Sequence, residues 1–334
     1  MPWLGATARE STTKSPRSGW CRVRSPSECS NNYRSSAKAR GQKMIRDVRN
    51  RPVRRIAETM QVRDPRVSSP EAPADVFCRV LGPVSVEIDG APVALGGPIL
   101  RRVLAALLSA EATPVSDHRL IEQAWEHRPR DGVNALRLII WRLRRTLGRT
   151  GGTYLRRTSA GYVLAIPPES TDHGVFTGLV ESGLSELFYE RFDSAARAFG
   201  SALALWRGEP WCDLDDSPHP IALRSRLTEL RDVAIEERLA AQLACAHTAA
   251  AVAGLRAAIS AAPYRERRWE LLALGLYRSG QQTSALAELR RVRTLLSNDI
   301  GIEPGPALRQ LEQRLLTQDP ELDTAGLPKS ATRQ

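Results

Sequence analysis

Residues 132–148 read GVNALRLIIWRLRRTLG and carry two patterns at once. Leu136, Ile140, Leu143 and Leu147 recur at i, i+4, i+7 and i+11, which at about 100° per residue puts them in one narrow stripe of a helix. Asn134, Arg137, Leu138, Trp141, Arg142 and Arg145 stand opposite, with Arg144 at one edge. One face is built for a core and the other for a ligand rich in acceptors. Arginine forks match guanine O6 and N7, an asparagine amide matches adenine, and the remaining guanidinium groups neutralise phosphates. A merely solvated face would also be charged, but an exposed Trp141 among arginines serves no such purpose. Gly148 is the expected stop.

Upstream, Val76 to Leu81 and Val84 to Ile88 read as short strands broken by Gly82-Pro83, and Asp89-Gly90 turns the chain into a third strand, Pro92 to Leu95. The period then becomes helical from Pro98 to Ser109, and Ser116 is placed to cap a second helix with Leu120, Ile121, Ala124 and Trp125 inward. Downstream, Thr153 to Arg157 and Gly161 to Leu164 are expected as two strands around Thr158-Ser159-Ala160, while Gly96-Gly97 and Gly151-Gly152 read as turns. Strands, three helices and a hairpin make a winged helix-turn-helix over residues 75–168. Arg156 and Arg157 stand beside the hairpin turn, where they would reach phosphate or a minor groove; two arginines beside a turn also suit a plain hairpin. His127, Arg128, Arg130 and Asp131 connect the second and third helices. They are read either as a polymerase contact or as a plain connector.

The formal charge is +11, and its distribution matters more than its sum. Residues 1–74 carry a net +10, residues 75–168 a net +5 and residues 169–334 a net −4. The first stretch is rich in Ser, Arg, Pro and Asn without period, so it is expected to be a disordered basic tail. It is an arm that grips nucleic acid, a tail without function, or a stretch ahead of the true start, since Met44 and Met60 supply later starts. The argument for DNA therefore rests on the second segment.

From Asp172 the helical period dominates: Asp172 to Ser182, Ser185 to Phe188, Phe192 to Trp206, Pro220 to Cys245, Ala249 to Ala262, Arg265 to Ser279, Gln282 to Ile300 and Pro306 to Thr317. Ala273 to Gly280 followed by Ala285-Leu286 matches the tetratricopeptide habit, and Ala250 or Ala251 precedes Ala285 by close to that repeat's period of about 34 residues. A helical-repeat domain over residues 169–320, with a second disordered tail over 321–334, is the expectation. Its negative balance disfavours a second DNA site and suits protein partners.

No phosphate loop, G-x-S-x-G or H-E-x-x-H occurs, so neither an enzyme nor a cofactor is expected. Cys21, Cys29, Cys78, Cys212 and Cys245 form no C-x-x-C pair and the histidines are scattered, which supports neither a disulfide framework nor a metal site. Asp213, Asp215 and Asp216 read as a solvated loop. Without an apolar run of membrane-spanning length, the expected setting is cytoplasmic, at the nucleoid, with no membrane partner.

Several of these stretches together carry a resemblance. Leu81-Gly82-Pro83, Asp89-Gly90 with Pro92-Val93 and Leu95-Gly96-Gly97-Pro98, Asn134-Ala135-Leu136, Arg142-Leu143-Arg144-Arg145, Leu147-Gly148 and Gly161-Tyr162 resemble the N-terminal domain of the antibiotic regulatory protein (SARP) family of transcriptional activators. Leu203 to Gly208, Leu276 to Gln281 and Asp299 to Pro306 resemble that family's bacterial transcriptional activation domain. The resemblance covers about residues 76–320. It implies an OmpR-type winged helix that binds promoter direct repeats as a homodimer, helps to recruit RNA polymerase and serves gene clusters for secondary metabolites. The chain ends soon after the helical domain, so the nucleotide-binding module of the family's larger members, and with it an ATP switch, is not expected. The family often has V-H-V-S before its R-L-R-R. Here Leu138-Ile139-Ile140-Trp141 stands there, so Ile139 and Trp141 replace His and Ser and half-site preference is expected to differ. In the wing, Thr158 stands where the family usually has Arg, with Arg157 one place earlier. An alternative reading takes Ile139 and Trp141 as a protein-docking face on a helical-repeat adaptor whose winged helix no longer reads DNA.

Overall fold

Val76 and Cys78 turn inward while Phe77 and Arg79 remain partly exposed, the alternation of a strand with one covered face. A computed structural model describes residues 76–323. The stretch expected as a basic tail, and residues 324–334, lie outside the described residues. β1 (Val76–Arg79) pairs antiparallel with β2 (Ser85–Ile88), which pairs antiparallel with β3 (Ala91–Val93). The β2–β3 turn has positive φ at both Asp89 (53°) and Gly90 (77°), which is what a two-residue turn matched to strand twist demands.

Three helices follow. α1 (Pro98–Ser109) starts on proline and buries Leu100, Val103, Leu104, Leu107 and Leu108. α2 (Asp117–Ala124) is capped by Ser116, whose hydroxyl accepts from the Arg119 N–H at 3.3 Å. α3 (Gly132–Thr146) holds the opening stretch. The expected strand from Thr153 begins only at Leu155, because a short helix, α4 (Gly148–Tyr154), comes first. Gly151 and Gly152 are not turn residues. A Cβ on Gly151 would lie 2.7 Å from Val76 Cγ2 and one on Gly152 3.1 Å from the Arg144 carbonyl oxygen, so close packing explains them. β4 (Leu155–Thr158) and β5 (Gly161–Leu164) form the hairpin. It is stitched to the approach of α2 by Val115 N–H to Tyr162 O (2.8 Å) and Tyr162 N–H to Val115 O (2.9 Å). Gly161, at φ +143°, brings its backbone so near the Val115 carbonyl that no side chain fits.

After a 3-10 turn (Pro168–Ser170) the chain is helical: α5 (Asp172–Phe188), α6 (Phe192–Leu203), α7 (Pro218–Ala244), α8 (Thr248–Ala261), α9 (Glu266–Arg278), α10 (Gln282–Asp299) and α11 (Pro306–Leu316). α5 is one helix where two were expected. Gly183 does not break it, because Phe199 of α6 packs directly on that glycine. A final 3-10 turn (Pro320–Leu322) extends past residue 320. Leu322 is buried, and its carbonyl accepts from Arg278 Nε at 2.8 Å. The molecule is thus largely helical with two small sheets. Among the described residues no helix is long and apolar enough to cross a membrane.

Two hydrophobic cores divide the chain at an unexpected place. The first runs from Val76 through Leu164 and on through Phe176, Phe199, Trp211 and Leu227 to Ala241, and the second begins at Leu239 and ends at Leu322. Packing is therefore continuous across residue 168, and α7 contributes to both cores. The junction is hydrogen-bonded as well. The buried carboxylate of Asp172 accepts from Val80 N–H (2.7 Å) and Leu81 N–H (3.0 Å), with Arg207 Nη2 3.5 Å away. Burial pushes the Asp172 pKa up, against the pull of those two donors and of Arg207. Arg207 N–H donates to Leu81 O (2.8 Å) and Trp211 N–H to Val80 O (2.9 Å). Asp213, expected in a solvated loop, instead accepts from Val84 N–H (2.8 Å) and from Arg101 Nε (3.1 Å).

Candidate nucleic-acid interface

The stripe Leu136, Ile140, Leu143 and Leu147 is buried as its spacing requires, and it fixes which way α3 faces. Gly132 lets α3 approach α2, since a Cβ there would lie 3.2 Å from Ile121 Cδ1. Ile139 is also in the core, only 8% exposed, so it supplies nothing to the outer face on which the docking alternative relied. Asn134, Arg137, Leu138, Trp141, Arg142 and Arg145 are all exposed.

A chain of polar contacts organises the start of this face. Asp131 caps α3, its Oδ1 accepting from Asn134 N–H at 3.2 Å and its Oδ2 from the Asn134 amide. Asn134 Oδ1 in turn accepts from Arg137 Nη1 at 3.2 Å. The Asn134 amide is thus partly engaged in orienting Arg137, and Asp131 in ending the connector. Its neighbours His127, Arg128 and Arg130 are exposed on that connector. Further along, the Arg145 guanidinium lies 5.6 Å from the centre of the Trp141 ring.

Two expected phosphate ligands join the hairpin to the helices. Arg144 donates from Nε and Nη2 to the Leu155 carbonyl, both at 3.2 Å, which joins α3 to the start of β4. Arg157 forms an ion pair with Asp117 at the start of α2 and lies over the Tyr162 ring at 4.4 Å. The hydrogen bond that Arg157 donates to Asp117 holds its pKa above the usual guanidinium range. Arg156 is exposed on the same strand, paired in register with Val163. Sequence reasoning missed the long-range partners of the interface's supporting body, above all Asp172. Its only local signal is an acidic residue in the first turn of a helix. Among the described residues no group of His, Cys, Asp and Glu forms a metal cluster.

The family model described as bacterial transcriptional activator domain matches residues 171–316, beginning at Thr171, whose hydroxyl caps α5. The transcriptional regulator RedD of Streptomyces coelicolor is 32% identical over 254 residues, covering 74% of this chain and 72% of RedD. The chain belongs to the SARP family of transcriptional activators. The transcriptional regulatory protein EmbR of Mycobacterium tuberculosis is 37% identical to this SARP-family chain over 245 residues, 72% of the chain and 63% of EmbR. A solved structure of Mycobacterium tuberculosis EmbR in complex with a low affinity phosphopeptide aligns with a TM-score of 0.69 and 34% identity, covering 73% of this chain and 66% of the other. The chain thus spans under two thirds of the length of EmbR. These SARP relatives are regulators of transcription by name.

Proposed function

We propose that this SARP-family chain is a sequence-specific DNA-binding activator, with residues 75–168 a winged helix-turn-helix of OmpR type and residues 169–320 a tetratricopeptide-like activation domain. α3 is the recognition helix and β4–β5 the wing. Arg137, Leu138 and Trp141 face base edges, with Asn134 beside them, while Arg142, Arg145 and Arg156 hold phosphates. Arg144 and Arg157 hold the wing against the body. Phosphate contacts fix register and base contacts specify. The protein works in the cytoplasm, at the nucleoid, binds promoter direct repeats as a homodimer, activates a gene cluster for a secondary metabolite and touches RNA polymerase through His127, Arg128 and Arg130.

The observation that carries this reading is the outer face of α3. Its residues are exposed while its inner stripe is locked in a core that extends into α7. Gly132–Thr146 also contains four arginines and no carboxylate. Gel shifts with the chain's own upstream DNA against random duplex, at rising salt, test the proposal. Steep salt dependence together with sequence preference is expected. Arg137→Ala should lose about 1–3 kcal/mol of discrimination and less of its non-specific affinity. An equal loss on both kinds of DNA would make Arg137 a phosphate ligand instead.

A further inference from the structure

Resting on that reading, we infer that Leu138 and Trp141 are specificity-determining residues that recognise the 5-methyl groups of thymines in the major groove. Leu138 is 49% and Trp141 54% exposed, and Val133, nearer the start of the same helix, is exposed too. Apolar surface of this size stays out of the core because the inner stripe is already filled by Leu136, Ile139, Ile140 and Leu143.

The charge around these side chains selects the occupant. Arg137 and Arg142 adjoin them in sequence and Arg145 lies against the Trp141 ring. The occupant must therefore be polyanionic and yet offer apolar contact. The major groove of duplex DNA meets both demands, and its apolar feature is the thymine methyl. Leu138 and Trp141 are i, i+3 neighbours, hence on one side of the helix and separated by a rise of about 4.5 Å. That separation is little more than one base-pair step of about 3.4 Å, so the two side chains reach adjacent or nearly adjacent pairs. Arg137, oriented by Asn134, lies one residue before Leu138 and takes a neighbouring guanine. The half-site so read combines a guanine with at least one flanking thymine, and the methyl is a required part of it.

Replacing thymine by deoxyuridine removes the methyl and leaves every hydrogen-bonding group in place. The full chain would be used to select its preferred duplexes from a random pool, and each thymine of the selected site would then be replaced singly by deoxyuridine. At one or two positions affinity should fall about fourfold, the value of one buried methyl-sized group. Trp141→Ser and Leu138→Ala, both at exposed positions, should bind the selected site more weakly and should each lose the thymine–deoxyuridine difference at its own position. Sequence-specific binding with no deoxyuridine effect at any position would overturn the inference and leave the DNA-binding reading intact. Failure to select any sequence, with only salt-sensitive binding to all duplexes or none, would overturn both. The deoxyuridine arm uses the wild-type chain, so it decides the matter even where a variant folds poorly.

Discussion

Arginine serves two opposite ends in this molecule. In the helical region Arg268 is 1% exposed. It donates to Asp232 (2.5 Å) and Glu236 (3.1 Å) of α7 and to the Ala258 carbonyl of α8 (2.6 Å). Arg265 joins the same network through Glu236 at 2.5 Å and Glu229 at 2.8 Å, and these bonds raise the Arg265 pKa and lower that of Glu229. Every charge there has a local answer. On α3 the arginines at 137, 142 and 145 are exposed on a helix that carries no carboxylate at all. Charge answered within the fold organises packing, whereas on the proposed reading the charge left outward is there for an anion from elsewhere.

The largest expected effect separates those two roles. Arg268→Met takes the buried guanidinium from Asp232, Glu236 and the Ala258 carbonyl, leaving the two carboxylates only Arg265, and should cost about 1–3 kcal/mol of stability in urea unfolding. Arg142→Ala should change stability by less than about 0.5 kcal/mol and yet reduce the salt slope of DNA binding by about 1. A stability loss at Arg142 as large as that at Arg268 would erase the contrast.

The parts of this division that the sequence makes legible are local ones. The stripe of α3, the Ser116 cap, the Asp89-Gly90 turn and the helix positions downstream follow from periods and punctuation within a few residues. What depends on distant partners stays hidden. Gly151 and Gly152 look like a turn but admit Val76 and the Arg144 backbone, and Gly183 looks like a break but receives Phe199. Asp172 reads as an ordinary helix-start acid although its bonds reach back to Val80 and Leu81. On the candidate face, spacing distinguishes inside from outside except at Ile139, which lies at the margin of the stripe and is drawn inward. That Arg144 is bonded to the hairpin and Arg157 of the hairpin to α2 depends on where Leu155 and Asp117 come to lie, which a helical wheel does not contain.

A second prediction concerns the junction beneath the interface. His173 is half-buried against Trp211, ring centres 5.4 Å apart, and its buried Nδ1 has no hydrogen-bond partner. Burial lowers its pKa below the usual 6.5, and the pull of Asp172 and Glu111 does not reverse this. The unfolded chain therefore takes up a proton that the folded chain resists. Stability from this residue is complete above the ordinary imidazole pKa and is lost as the pH falls through it toward the lower folded value. Urea midpoints measured from about pH 7.5 down to about 5.5 should fall, and His173→Phe should flatten that slope. An unchanged slope in the variant would assign the acid sensitivity to other groups.

The smallest effect falls on the residue that belongs to neither class cleanly. Arg157 is half-exposed like the arginines of α3 but paired with Asp117 and laid over Tyr162 like those of the network. An exposed pair of this kind contributes less than about 1 kcal/mol, so Arg157→Met should lower stability only slightly, the more so because the methionine keeps an apolar chain over the ring. Its effect on DNA decides its class. With the guanidinium already neutralised by Asp117, the salt slope of binding should stay unchanged, and Asp117→Asn should raise it by releasing Arg157 toward phosphate. A slope reduced by about 1 in Arg157→Met, with Asp117→Asn silent, would mean that the wing gives up its internal pair on DNA and that Arg157 stands with Arg142 and Arg145.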